Sequence, residues 1–449
     1  MNIPTRDRRA LSLALLSLLQ FLIAIDVTVV NVALPSIGAR FGAGTASLSW
    51  VVTGYTLAGG GLLLLGGRLT DLFGRRRMFL LGAVLFGAAS LAAGLAPNLE
   101  TLIAARFAQG VGEALASPAA MSLIALLFPG PAERAKALGV WGAISASGLV
   151  VGVLLSGAIV QLLDWRWIFG VNVPIVTAVV ALAPRLVRAD GPRASGGRLD
   201  LPGAALLTGG PLALVHGALS GSVASLLVGA VLLAAFVTVE ARTDHPLVPL
   251  SFFTHRARAV ANAATIPLSA GLSAMFFLVT LYLQDVVGLG PFQAGLAYLP
   301  FCAVLLIAIH SASSLIGTLG MWRTALAGLL LTAAGLGWLA RLPDEGGLWV
   351  DVLPGMLAVA AGMGLGLLAL QNAALSDVTE ADAGAASGVQ RSVDQLGGSL
   401  GLAVLVGAAV GGGATQAVDF RAAFAWAAAA VLAAAAGVVL AAPRKRTPR

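Results

Sequence analysis

Asp26 lies inside a long apolar stretch, with Thr28 and Asn31 following it within five residues. An acid in the middle of a membrane helix costs about 2.5–3.5 kcal/mol on insertion scales, so such acids usually serve as protonation sites or ion-pair partners. The sequence therefore predicts a proton-coupling role for Asp26. The alternative is a structural carboxyl that bonds to Asn31, Thr28 or a neighbouring helix and fixes its register.

A second apolar stretch carries both a cation and an acid. Arg106, Gln109, Gly110 and Glu113 follow the spacing i, i+3, i+4, i+7, so they share one face of a helix. Exposure of this face to lipid would be costly, which predicts that it lines a cavity and takes part in proton coupling. The alternative is a buried structural pair between Arg106 and Glu113, although Arg106 has other acids available as partners.

A glycine- and arginine-rich stretch lies between the second and third apolar runs. Its two glycines predict a tight cytoplasmic reversal, and we expect it to form a gate with a charged pair near the start of the thirteenth run. The alternatives are a basic anchor at the membrane surface and a solvated helix start. The predicted gate residues are Gly67, Asp71, Gly74, Arg75, Arg76, Arg391 and Asp394.

Small and apolar residues supply two weaker predictions. Gly148, Gly152 and Gly157 in the fifth run permit close helix packing, and with it a sliding surface. A substrate cavity is expected to be mostly apolar, but each apolar candidate has core or lipid contact as its alternative. The candidate cavity residues are Asn31, Gln109, Met121, Phe276 and Phe277.

Composition sets the class of protein that these residues serve. The chain has 449 residues, a mean hydropathy of +0.94, 58% hydrophobic residues and 10% charged residues. Soluble chains carry about 25% charged residues, so soluble, disordered and nucleic-acid-binding proteins are excluded. A single cysteine, Cys302, excludes a disulfide framework. No nucleotide-binding loop, nucleophile–base pair or metal cluster is visible, so we expect neither an enzyme nor a cofactor or metal ion.

The apolar runs predict an all-α integral membrane protein with fourteen transmembrane helices, since a bilayer needs about 20 apolar residues per helix. With a cytoplasmic N-terminus, 22 of the 27 Lys and Arg residues fall in cytoplasmic segments, which predicts a cell-membrane protein with both termini cytoplasmic. The expected spans are 10–35, 48–67, 78–96, 100–128, 136–160, 166–184, 200–219, 222–241, 259–284, 291–317, 321–341, 349–372, 386–411 and 421–441.

These motifs resemble the major facilitator superfamily, and specifically its fourteen-helix drug:proton antiporter branch. Asp26 to Pro35 resembles the branch's first-helix signature, and Gly67 to Arg77 the superfamily's cytoplasmic-loop motif. Arg106 to Gly112 resembles the fourth-helix motif associated with proton transfer. The similarity extends over nearly the whole chain through the segments Trp165–Phe169, Asn172–Pro174, Leu281–Gln284 and Ser387–Gly398.

The resemblance implies two six-helix bundles, 1–184 and 259–449, joined by a linker with two extra helices at 185–258. It also implies export of small lipophilic drugs or antibiotics in exchange for protons, by a monomer whose partners are substrate, protons and membrane lipids. Val153 follows Gly152 where the branch normally has proline, which weakens the antiport prediction. An exporter or importer of one endogenous metabolite therefore stays open, and a non-transporting sensor or scaffold is the alternative of another class.

Overall fold

A computed structural model describes residues 5–187, 199–376, 378, 383–410 and 418–441. Regular structure in these residues is entirely helical. Thirteen helical segments among them are long and apolar enough to cross a membrane, and the 19-residue helix Met321–Leu339 completes the predicted fourteen. The middle of the basic connection predicted at 185–199 lies outside the described residues.

The fourteen helical segments are numbered α1 to α14 in chain order. Short breaks interrupt α6 after Gly170 and α10 after Ala297. The segments are α1 Thr5–Phe41, α2 Thr45–Phe73, α3 Arg75–Gly94, α4 Leu99–Leu127, α5 Pro131–Leu162, α6 Trp167–Leu186, α7 Leu201–Ser220, α8 Val223–Glu240, α9 Arg256–Leu281, α10 Pro291–Leu319, α11 Met321–Leu339, α12 Leu353–Ala374, α13 Ala383–Val410 and α14 Phe420–Ala441.

The described residues form two compact units. The first unit takes its residues from Met1–Ala43, Trp50–Thr208 and Gly290–Leu296. The second unit takes its residues from Gly44–Ser49, Gly209–Leu289 and Ala297–Arg449. The first contains α1 to α6, and the second contains α9 and α11 to α14.

Glycines set the helix spacing in the first unit. A Cβ atom on Gly110 of α4 would overlap the carbonyl oxygen of Tyr55 on α2, and one on Gly112 would lie 2.9 Å from the Gly82 carbonyl of α3. Absence of these side chains lets the backbones of α2, α3 and α4 approach closely, the usual route to tight packing in lipid. The polar side chains of α4 are consequently held close to both neighbouring helices.

The reversal between α2 and α3 depends on one residue. Gly74 has a φ of 101°, a conformation that residues with a Cβ rarely adopt. Gly67 lies inside α2, so it takes no part in the turn that the sequence assigned to both glycines. Gly320, with a φ of 87°, makes the corresponding one-residue turn between α10 and α11.

The end of α6 is held by arginines from two other parts of the first unit. Arg8 of α1 donates to the carbonyl oxygens of Arg185 and Leu186 at 3.0 and 3.1 Å, and Arg76 of α3 donates to Val187 at 3.2 Å. Cations stabilise helix C-termini because the last carbonyls lack partners within the helix. We call this set of contacts the carbonyl cap.

Candidate functional site

Asp26 and Arg106 form a buried ion pair in the first unit. Arg106 Nη1 donates to Asp26 Oδ2 in a short contact, and the two side chains are 1% and 0% exposed. Burying two charges is costly unless further hydrogen bonds satisfy them. The surrounding helices supply those bonds.

Two amides complete the environment of the Asp26 carboxylate. Gln109 of α4 and Asn172 of α6 each donate to Oδ1 at 3.1 Å. Both amides also reach the Ser90 hydroxyl of α3, at 2.9 and 3.3 Å, and that hydroxyl donates in turn to the Phe86 carbonyl at 2.8 Å. Two side chains besides Arg106 thus donate hydrogen bonds to the Asp26 carboxyl group.

Arg106 is fixed from several directions. Its Nε donates to the Val51 carbonyl at 2.8 Å, and its Nη1 also donates to Gln109 Oε1 at 2.9 Å. The guanidinium lies 4.4 Å above the centre of the Tyr55 ring and 5.8 Å from that of Phe169. These contacts hold the cation in place by hydrogen bonding and cation–π attraction, independently of Asp26.

Glu113 is the second acid of the site. It lies two turns after Arg106 on α4, is 1% exposed, and interacts electrostatically with the Tyr55 hydroxyl. The ion pair of Arg106 is formed with Asp26 and leaves Glu113 beside Tyr55. Tyr55 therefore contacts the cation with its ring and faces the second acid with its hydroxyl.

Further polar side chains lie towards the far end of α4. Ser117, one turn after Glu113, donates to Gln20 Oε1 of α1 at 3.1 Å, and both residues are buried. Asp26, Glu113 and this pair are thus spread along α1 and α4. Together they provide the first unit with polar groups at successive depths.

The residues that follow Asp26 on α1 bond elsewhere. Thr28 donates to the Ile25 carbonyl at 3.0 Å and Asn31 donates to the Val27 carbonyl at 2.9 Å. The side-chain partners of Asp26 come from neighbouring helices instead. Asn31 Oδ1 is buried and has no hydrogen-bond partner in the described part of the chain. This oxygen is therefore able to accept a hydrogen bond from another molecule.

The candidate cavity residues differ in exposure. Met121 is 38% exposed, whereas Phe277 is fully buried. Phe276 is partly buried and stacks on Tyr298, with ring centres 5.1 Å apart. Gln109 is wholly enclosed in the Asp26 network.

The glycine seam of α5 lies against α1 on both sides of Asp26. A Cβ on Gly152 would overlap the Thr28 hydroxyl, and one on Gly148 would lie 2.8 Å from the Phe21 carbonyl. A Cβ on Gly157 would lie 2.8 Å from the carbonyl oxygen of Pro291, at the start of α10. The α5 backbone therefore lies in direct contact with the turn that carries Asp26.

The predicted gate residues belong to both units. Asp71 is exposed near the end of α2, next to Gly74, and Arg75 is partly buried. Arg76 belongs to the carbonyl cap. The second unit holds Asp394, which accepts a hydrogen bond from Ser269, with Arg391 one turn earlier on α13. A gate that joins these residues stays a prediction.

Sequence reasoning assigned no role to Tyr55, Ser90 or Asn172. Each is a polar residue within an apolar helix, a signal available from the sequence. Their connection to Asp26 and Arg106 depends on how five helices pack, which periodicity along one helix does not reveal. Asn172 is part of a segment noted only for its family resemblance.

Comparison with known proteins identifies relatives over most of the chain. A family model described as Major Facilitator Superfamily matches residues 16–402. The chain is 50% identical to the lincomycin resistance protein of Streptomyces lincolnensis, over 89% of this chain and 84% of the relative. It is 40% identical to the puromycin resistance protein of Streptomyces alboniger, over 92% and 84% of the two chains.

A more distant relative and a solved structure also match most of this chain. The multidrug resistance protein Stp of Mycobacterium tuberculosis is 34% identical over 86% of this chain and 73% of its own length. The crystal structure of the nucleoside transporter NupG superposes with a TM-score of 0.70 at 10% identity, covering 97% of this chain and all of that one. At that identity, the match to NupG concerns the fold alone.

Proposed function

Because this chain belongs to the Major Facilitator Superfamily, a family of membrane transporters and not of enzymes, we propose that it exports small lipophilic drugs or antibiotics in exchange for protons. The multi-pass membrane architecture and the resistance proteins among its relatives support export of such compounds. The observation that carries proton coupling is the buried ion pair between Asp26 and Arg106.

The proposed coupling step is protonation of Asp26. A proton from the outer side neutralises the carboxylate, which removes its attraction for Arg106. Arg106 keeps the Val51 carbonyl and the Tyr55 ring as partners, so the guanidinium still has stabilising contacts when the ion pair opens. A bond that opens without stranding a buried charge is suited to repeated cycling.

Glu113 is the second candidate for the coupling acid. Its position beside Tyr55 puts it next to a ring that contacts Arg106. Opening of the Asp26–Arg106 ion pair would therefore change the electrostatic potential at Glu113. Proton release from Glu113 or Asp26 to the cytoplasm would complete the cycle.

The wider cycle follows alternating access around a central site. One proton moving through 100 mV supplies about 2.3 kcal/mol. Tenfold accumulation of a neutral compound costs about 1.4 kcal/mol, so one proton sustains a gradient of roughly 40-fold before any pH difference is added.

The distribution of basic residues supports a cell-membrane location with both termini cytoplasmic, since 22 of 27 Lys and Arg residues fall on that side. The proposal keeps bundles at 1–184 and 259–449 and a two-helix linker at 185–258, in a monomer whose partners are substrate, protons and lipid. A single-metabolite exporter is the second candidate, because α5 runs unbroken through Val153.

The experiment uses inverted membrane vesicles with an acidic interior. Lincomycin, puromycin and a panel of lipophilic cations are added while the interior pH is followed. We expect drug-triggered alkalinisation in the wild type and in Glu100→Gln, a control acid that is exposed at the start of α4. Asp26→Asn should abolish it.

Two other outcomes have definite meanings. Alkalinisation that survives Asp26→Asn and disappears in Glu113→Gln assigns the coupling proton to Glu113. If the wild type responds to none of the compounds, the proposed exchange of these drugs for protons is wrong, and export of a single metabolite becomes the leading hypothesis.

A further inference from the structure

An acid in the second unit has no part in the coupling step. Asp394 lies eleven residues into α13, about 16 Å along the helix at 1.5 Å per residue. The Ser269 hydroxyl of α9 donates to its Oδ1 in a short contact. A carboxyl at this depth is costly, and such acids are functional candidates by default.

A row of polar side chains leads to Asp394 from the start of both helices. Asn262, Thr265 and Ser269 follow the spacing i, i+3, i+7 on α9, and Gln390 lies one turn before Asp394 on α13. Gln390 Nε2 donates to Thr265 Oγ1 at 3.1 Å, one step before the Ser269–Asp394 bond. We call these five residues the α9–α13 polar file.

Two acceptors in the file lack partners. Asn262 Oδ1 and Gln390 Oε1 are buried, in residues that are each 3% exposed, and neither has a hydrogen bond in the described part of the chain. Buried acceptors without partners are rare because they cost free energy, so each calls for a donor. Side chains this enclosed are out of reach for a drug, whereas buried water is the usual partner of such polar groups.

The next turns of α13 approach α9 closely. A Cβ on Gly397 would lie 2.9 Å from Ile266 Cα, one on Gly401 would lie 2.8 Å from Ala270 Cα, and one on Gly398 would lie 2.7 Å from the Ser273 hydroxyl. The two acceptors without partners lie nearer than Ser269 and Asp394 to the residues at which α9 and α13 begin.

The charges around Asp394 are few. Arg391, one turn earlier on α13, interacts with it electrostatically. Helices α9, α12 and α14 pack against α13, and Gly407 near the end of α13 lies against the Ala218 carbonyl of α7. The charged and titratable residues of these helices are Arg256 and Arg258 at the start of α9, Arg421 at the start of α14 and His216 of α7, while α12 has none.

We propose that Asp394 is a second protonation site, which exchanges its proton with the cytoplasm along the α9–α13 polar file. A hydronium ion delivers its proton to a carboxylate oxygen, forming an O–H bond and leaving neutral water, and the reverse step returns it. The site follows cytoplasmic pH and is separate from the coupling proton. Its cytoplasmic access rests on the topology in the proposed function.

Two measurements test this site. In the first, pH-step difference infrared spectroscopy on the purified protein detects the carbonyl band of a protonated carboxyl. We expect a band that is missing in Asp394→Asn and present in Asp344→Asn, a control acid whose side chain is 97% exposed. Ser269→Ala should keep the band and move the pH at which it appears. This readout does not depend on transport.

In the second, inverted vesicles are held at a fixed interior pH while the pH of the medium, which bathes the cytoplasmic face, is stepped. Asp394→Asn should weaken the dependence of drug uptake on medium pH, which the coupling acid continues to set in part, and should keep drug-triggered proton efflux. Asp394→Glu, which retains a titratable group, should restore the pH dependence and guards against a folding defect.

The failures are distinguishable. An infrared band that is unchanged in Asp394→Asn overturns the second site, whatever the transport result. Loss of uptake of amine drugs alone, with the pH profile intact, would instead make Asp394 a substrate contact. Absence of proton efflux in the wild type would contradict the proposed function and leave the infrared test of Asp394 standing.

Discussion

The amide of Asn172 on α6 donates to Oδ1 of Asp26 on α1 across 3.1 Å, inside a network that is closed to solvent. This bond ties the last helix of the first unit to the acid on its first helix. It complements Arg106, which occupies the other carboxylate oxygen. The ion pair is therefore one edge of a larger polar cluster.

Asn172→Ala removes one of the donors to the carboxylate. Hydrogen bonds to charged groups contribute about 1.5–3 kcal/mol, so we expect a lower melting temperature and a several-fold loss of drug-dependent proton flux. Thr177→Ala on the same helix is the control, because its exposed hydroxyl donates to the Val173 carbonyl of its own helix. Unchanged flux in Asn172→Ala would show that Gln109 and Arg106 suffice.

Arg106→Gln should destabilise the protein more than Asp26→Asn combined with Arg106→Gln. The single change strands a buried carboxylate, which costs about 3–5 kcal/mol, while the double change removes both charges. Thermal unfolding of the two single variants and the double variant in detergent measures this coupling. Additive effects would contradict the ion pair as an energetic unit.

Arg106→Lys separates charge from geometry. A lysine retains the cation but lacks the planar fork that reaches the Val51 carbonyl and Asp26 together. We expect most of the drug-driven proton flux to be lost. Flux near the wild-type level would mean that positive charge alone is sufficient at this position.

Gly110→Ala tests the close approach of α2 and α4. The added methyl group would overlap the Tyr55 carbonyl, and overpacking of this kind costs about 1–3 kcal/mol. Gly142→Ala is the control, since a Cβ there has no atom within 4 Å. Melting temperatures should fall for the first variant and stay constant for the second.

Arg76→Ala distinguishes an anchoring role from a gate. Loss of one cap hydrogen bond should lower stability by about 0.5–1.5 kcal/mol and leave drug-driven proton flux per folded molecule unchanged. Exposed Arg77 supplies the control variant, Arg77→Ala. Lost flux at normal stability in Arg76→Ala would favour the gate.

The sequence predicts the helices well because lipid demands long apolar runs, but it places their ends less accurately. Hydropathy marks the lipid core, so the expected span 10–35 is shorter than α1, which extends from Thr5 to Phe41. Helical periodicity similarly brings Arg106, Gln109 and Glu113 onto one face. It says nothing about which neighbouring helix meets that face.

Partners between helices account for what sequence reasoning missed. Ser90 and Asn172 reach Asp26 from two other helices, and Ser269 reaches Asp394 from α9. These bonds depend on rotation and depth of whole helices, which a single sequence does not encode locally. The prediction that Asp394 belongs to a gate rests on its position near a helix start and is untested, whereas its bond to Ser269 was not predicted.

The carbonyl cap has a consequence for how this protein diverges. Arg8 and Arg76 bind main-chain oxygens of residues 185–187, and every amino acid supplies the same oxygen there. Substitutions at residues 185–187 therefore leave these hydrogen bonds in place, whereas replacement of Arg8 or Arg76 removes them. The arginines and residues 185–187 are therefore not expected to change together among relatives, so sequence covariation will not detect this contact.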